Sequence, residues 1–188
     1  MDALLTTFVA AALAEWGDRT QLFMIILAAR FARPGPLLAG LAVAALANNL
    51  LAAFGGTLVH DTINAQALSL LVALSLILAA LAGLRRRKPP NLAARWRTGA
   101  FVTAAVALFL IEFGDKTQFL TFALAGRFDS LGLAAAGATA GVVAANVPAV
   151  LLGERLKATI PLQPVRYAIA AGFLVVGFIV AVNALDLA

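Results

Sequence analysis

With 188 residues, 63% hydrophobic and only 12% charged, and a mean hydropathy of +0.98, this chain is not a soluble domain. Soluble domains carry about 45–50% apolar and about 25% charged residues. It has no cysteine, which excludes a disulfide framework and a thiolate metal centre. The formal charge of +5 would suit nucleic acid on a soluble face, but the bases cluster at the ends of apolar segments, so no nucleic-acid partner is expected.

Six apolar segments follow in order, each near the 20 or so residues that cross about 30 Å of hydrocarbon as a helix. The first spans about 4–29 and stops at Arg30, Arg33, Pro34 and Pro36, where proline opposes helix continuation. Asp2 precedes it and Glu15 and Asp18 interrupt it, unlike a cleaved signal peptide. The second spans about 37–58 and holds Asn48 and Asn49; His60, Asp61 and Asn64 form the next loop. The third, about 67–84, carries no charge.

A basic linker, 85–97, divides the chain into a repeat of 1–84 and one of 98–188 within a single transport domain. The fourth segment spans about 98–125. The fifth spans about 131–152, with Asn146 and Pro148, and the sixth about 165–185. The segments are long and uniformly apolar, so the fold class is all-α: six transmembrane helices rather than a barrel of alternating strands.

Six spans put Arg30, Arg33, Arg85, Arg86, Arg87, Lys88, Arg95, Arg97, Arg155, Lys157 and Arg166 on one side. These are 11 of the 14 bases. Only Arg127 falls opposite; Arg19 and Lys116 lie within spans. The positive-inside rule then places both termini on the non-cytoplasmic side. Three spans per half make the second half cross in the opposite sense, giving an inverted repeat. In this transporter plan, sites form near the midplane where the halves meet.

One stretch occurs twice. Glu15-Trp16-Gly17-Asp18-Arg19-Thr20-Gln21 returns 97 residues later as Glu112-Phe113-Gly114-Asp115-Lys116-Thr117-Gln118. The match continues: Leu27-Ala28 and Arg30-Phe31 return as Leu124-Ala125 and Arg127-Phe128. An Asp or Lys at a membrane helix centre costs roughly 2.5–3.5 kcal/mol, so such residues imply a role.

On a helix, Glu15 and Asp18 face the same way, as do Glu112 and Asp115, with Gln21 and Gln118 further along. The four acids and two glutamines are candidate ligands of a hard divalent cation. Asn48 and Asn146 are further candidates, or else interhelical hydrogen-bond partners. Thr20 and Thr117 are weaker candidates, since threonine commonly bonds its own helix backbone. Arg19 and Lys116 balance charge: four acids against two bases leave −2, the charge that one divalent cation or two protons neutralise. Burial favours the neutral form of a carboxylic acid, so metal and protons compete for such a site. Gly17 and Gly114 permit either close helix approach or local unwinding. Structural salt bridges locking helices together are the competing reading, and a weaker one for a constellation that occurs twice in an inverted repeat than for an isolated pair.

The doubled Glu-x-Gly-Asp-Lys/Arg-Thr motif in six spans resembles the Gdt-type cation/proton exchangers of Golgi, plastid and bacterial membranes. The resemblance covers both halves. It implies transport of Mn²⁺, and in some members Ca²⁺, out of the cytoplasm against protons, with the motif acids as ligands. It implies no tightly bound cofactor and no enzymatic activity. A short chain without an organelle presequence leads to the expectation of a bacterial inner membrane. Two other readings compete. An exporter of a basic amino acid would want more aromatic walls than two Trp and one Tyr provide. An intramembrane metal-dependent hydrolase would want a convergent Ser, His or Arg set near the headgroups.

Overall fold

The computed structural model describes residues 1–85, 90, 92 and 96–185. Arg86, Arg87, Lys88 and Arg95 of the predicted linker lie outside the described residues. Among the described residues, all regular structure is helical.

The first predicted segment is two helices, α1 (Asp2–Glu15) and α2 (Arg19–Phe31). The fourth is likewise α5 (Ala100–Glu112) and α6 (Lys116–Phe128). Between them, α3 (Pro34–His60) and α4 (Ala65–Leu84) are continuous. After α6 come α7 (Leu131–Leu152), a short α8 (Arg155–Thr159) that the apolar pattern does not reveal, and α9 (Leu162–Ala184). The helices α3, α4, α7 and α9 are each long and apolar enough to cross a membrane.

Two expectations at segment ends change. His60 closes α3 instead of sitting in a loop, and its Nδ1 lies 2.7 Å from the Gly126 carbonyl oxygen. Arg166, counted among the bases at the ends of the spans, lies a full turn inside α9 and is buried. Proline is tolerated in a first helical turn, so Pro164 does not delay the start of α9.

Both breaks have one cause. Trp16 (φ −65°, ψ 124°) and Gly17 (φ +70°) are the central residues of a turn closed by the Asp18 N–H on the Glu15 carbonyl, at 3.2 Å. Phe113 (φ −62°, ψ 120°) and Gly114 (φ +72°) repeat it, closed by the Asp115 N–H on the Glu112 carbonyl, at 3.0 Å. This is a type II turn, whose third position needs a positive φ and therefore glycine. Asp18 then starts α2 as its N-cap, accepting from the Arg19 N–H at 2.8 Å. The spacing Glu-x-Gly-Asp is thus a helix–turn–helix inside an apolar segment. Glu15 ends one helix and Asp18 caps the next, so they do not share one helical face as expected.

The repeats interlock. The helix α3 of the first repeat packs on α5 and α6 of the second, while α7 of the second packs on α1 and α2 of the first. Two glycines show the twofold relation. A Cβ on Gly40 would stand 2.5 Å from the Phe101 carbonyl oxygen, and one on Gly137 would stand 2.2 Å from that of Leu4. Both residues of the first contact recur 97 positions away in the second. Such backbone approach between membrane helices is what small residues permit. The helices α3 and α7 also pack together, and α4 pairs with α9. The outer surface is apolar, with Leu74, Leu81, Leu174, Val175, Phe178 and Ile179 exposed. That is the surface of a polytopic membrane protein, whose solvent is lipid.

Candidate functional site

The two turns meet inside the bundle, and the acids of each repeat are held by the other. Thr117 Oγ1 donates to Glu15 Oε1 at 2.6 Å. Reciprocally, Thr20 Oγ1 donates to Glu112 Oε1. Lys116 Nζ forms an ion pair with Asp18, and Arg19 Nη2 lies 3.2 Å from Asp115 Oδ1. The threonine hydroxyls therefore serve the partner repeat's glutamate instead of only their own helix backbone. Glu15, Asp18, Thr20, Gln21, Glu112 and Thr117 are all buried.

The glutamines brace the turns. Gln21 Oε1 accepts from the Gly17 N–H at 2.9 Å, and its Nε2 donates to the Ala145 carbonyl at 2.8 Å. Gln118 Oε1 accepts from the Gly114 N–H at 2.6 Å, and its Nε2 donates to the Asn48 carbonyl at 3.1 Å. Each glutamine ties a turn to the long helix of the opposite repeat, and its oxygen is already engaged.

Asn48 Nδ2 donates to the Phe109 carbonyl at 3.1 Å, and Asn146 Nδ2 to the Val142 carbonyl at 2.9 Å. The 97-residue register, however, pairs Asn146 with Asn49. Asn49 accepts from Thr121 Oγ1 at 3.0 Å and donates to Thr139 Oγ1 at 3.3 Å. Applying the repeat offset to each asparagine would have found Asn49. The other residue missed is Arg166, whose Nη1 donates to the Gly17 carbonyl at 3.2 Å.

Among the described residues, no three of His, Asp and Glu stand together as a ready metal cluster. The acids instead form four cross-repeat contacts. Three buried acceptors near them have no hydrogen-bond partner among the described residues: Glu15 Oε2, Asn48 Oδ1 and Asn146 Oδ1. A buried acceptor without a donor is costly, and a cation can satisfy it. The chemistry is that of hard oxygen donors facing fixed cationic side chains.

The site is not symmetric. Arg19 is 32% and Asp115 12% exposed, against 6% for Lys116 and 1% for Asp18. A cavity of about 660 Å³ between α3, α4 and α6 reaches Gly114, Asp115, Lys116 and Gln118. The Gly17 turn has no such opening, because the start of α9 covers it.

The chain matches the divalent cation/proton antiporter GDT1 family twice, over residues 3–90 and 100–187, and the two matches keep the 97-residue register. It is 36% identical over 175 residues, covering 93% of this chain and 88% of the relative, to a Vibrio cholerae serotype O1 protein named "Putative manganese exporter". No solved structure matches it. Two type II turns meeting between two repeats, with family matches across both, lead to one assignment: the chain belongs to the GDT1 family of divalent cation/proton antiporters.

Proposed function

We propose that this protein exports Mn²⁺, and admits Ca²⁺, from the cytoplasm in exchange for protons. The six segments form one transport domain, residues 1–84 and 98–188 being its repeats. It sits in a bacterial inner membrane with both termini on the non-cytoplasmic side, as the placement of the bases argues. Glu15, Asp18, Glu112 and Asp115 bind the cation, and Asn48 and Asn146 supply further oxygens. Gln21 and Gln118 hold the turns in shape, and Thr20 and Thr117 orient the glutamates. The observation that carries this reading is the reciprocal pairing of each repeat's acids with the other repeat's donors.

Lys116 and Arg19 supply to Asp18 and Asp115 the positive charge that the substrate would otherwise bring. An entering cation draws Asp18 and Asp115 away from these bases, and the glutamate oxygens turn toward it. When the cation leaves, protons or the bases take its place. This makes cation and proton occupancy alternatives at one set of carboxylates, which is what exchange requires.

The test is Mn²⁺ binding and proton release by the purified protein and by Glu15→Gln and Glu112→Gln variants. Each substitution keeps the shape and removes one charge. Mn²⁺ affinity should fall by at least about tenfold, or about 1.4 kcal/mol, and fewer protons should be released per bound ion. Parent-like affinity in both folded variants would show that the acids are structural.

A further inference from the structure

We propose that Arg166 is a resident cation that seats on the Gly17 turn and must leave for the substrate to bind. The inference rests on the antiport reading above and adds a positioning residue to it.

Three observations converge. First, Arg166 is 9% exposed although it carries a fixed charge inside a membrane segment. Its Nη1 holds the Gly17 carbonyl at 3.2 Å, while its Nε has no hydrogen-bond partner among the described residues. An arginine offers five donors, and this one is not fully satisfied. Second, the seat is tight. A Cβ on Gly17 would stand 2.7 Å from the Leu162 carbonyl oxygen and 3.1 Å from the Arg166 Cβ. Arg166 also lines a small cavity with Asp18 and Lys116, so its charge faces the site.

Third, the twofold mate of this contact is missing. The 97-residue register relates Leu162 and Arg166 of α9 to Ala65 and Ser69 of α4, and Gly17 to Gly114. Nothing lies within 4 Å of a Cβ built on Gly114. Ser69 instead donates to its own helix, at the Ala65 carbonyl. The start of α9 therefore covers the Gly17 turn while the Gly114 turn is left open, and the position that Arg166 fills on the covered side is Ser69 on the other.

Charge explains why the seat is temporary. With Arg166 in place, four acids face three bases, leaving −1. A divalent cation would turn this to +1 in a low-dielectric site. With Arg166 withdrawn, the same acids face two bases, and the cation brings the site to neutrality. Substrate and Arg166 are therefore mutually exclusive, and loading drives α9 off the Gly17 turn.

The experiment uses the full chain in detergent, with Mn²⁺ as the probe. Arg166→Met removes the charge and keeps much of the bulk; Arg166→Lys keeps the charge. Arg166→Met should bind Mn²⁺ about tenfold more tightly than the parent, and Arg166→Lys should stay within about threefold of it. Loss of a merely structural arginine would weaken binding or leave it unchanged, and either result in a protein that melts like the parent overturns the proposal. A second measurement needs no Arg166 variant. The chain has no cysteine, so Trp16→Cys can be alkylated selectively with a water-soluble maleimide. Mn²⁺ should speed that alkylation about tenfold, and an Mn²⁺-independent rate overturns the proposal. If the parent binds no Mn²⁺ at all, the antiport reading falls with it. If the parent binds but neither effect appears, only the role of Arg166 falls.

Discussion

Lys116 and Arg19 occupy the same position in the two motifs yet differ in surroundings. Lys116 is 6% exposed and faces an Asp18 that is 1% exposed, whereas Arg19 is 32% exposed. Removing one partner of a buried ion pair is strongly destabilising, by about 3–5 kcal/mol, because the other charge stays behind. The Arg19–Asp115 pair is partly exposed and better screened, so its loss costs less. Lys116→Met should therefore lower the melting temperature well beyond Arg19→Met, measured by thermal unfolding of the two variants in one detergent. Equal losses would mean that the asymmetry between the turns has no energetic weight. The sequence supplied both bases and their net balance with the acids. It did not say which acid each base would face, because a partner in the other repeat is set by how the repeats interlock.

The helix–turn–helix elements owe their break to a single residue. Gly17 and Gly114 have nearly the same backbone, φ +70° and +72°, so an alanine at either meets the left-handed penalty of roughly 1–2 kcal/mol. Only Gly17 also faces a backbone oxygen, that of Leu162, at 2.7 Å from a built Cβ. Gly17→Ala should therefore destabilise more than Gly114→Ala, by at least about 1 kcal/mol in denaturant unfolding, through overpacking. A larger loss at Gly114 would reject the reading that α9 covers only the first turn. This pair also shows where sequence reasoning stopped. A glycine between two acids is compatible with close approach or with unwinding. The structure uses unwinding at Gly114 and both at Gly17, and that difference depends on α9, which the motif does not contain. The break itself was within reach: Glu-x-Gly-Asp places glycine at the third position of a type II turn, with an aspartate next to cap the following helix. The apolar runs on both sides of the motif hid it, since together they have the length of one membrane span.

At the scale of the molecule, the two repeats cannot be separated without exposing what each supplies to the other. The helices α1 and α2 rest on α7, and α5 and α6 rest on α3. Glu15 takes its hydroxyl donor from Thr117, Asp18 its cation from Lys116, and Glu112 its donor from Thr20. A lone first repeat would present Glu15 and Asp18 to lipid, and each charge there costs roughly 2.5–3.5 kcal/mol. Its α3 would also lose the backbone contact of Gly40 with Phe101, a packing term that lipid replaces poorly. Chains of residues 1–89 and 90–188 made together in one membrane should therefore assemble and co-purify through a tag on one of them. Made singly, each should aggregate on extraction. The cut falls in the basic linker that divides the repeats in the sequence, so the assembled pair should bind Mn²⁺ within about threefold of the intact chain. A first repeat that purifies alone as a single well-defined species would contradict the interlock, and with it the view that the site exists only where the repeats meet.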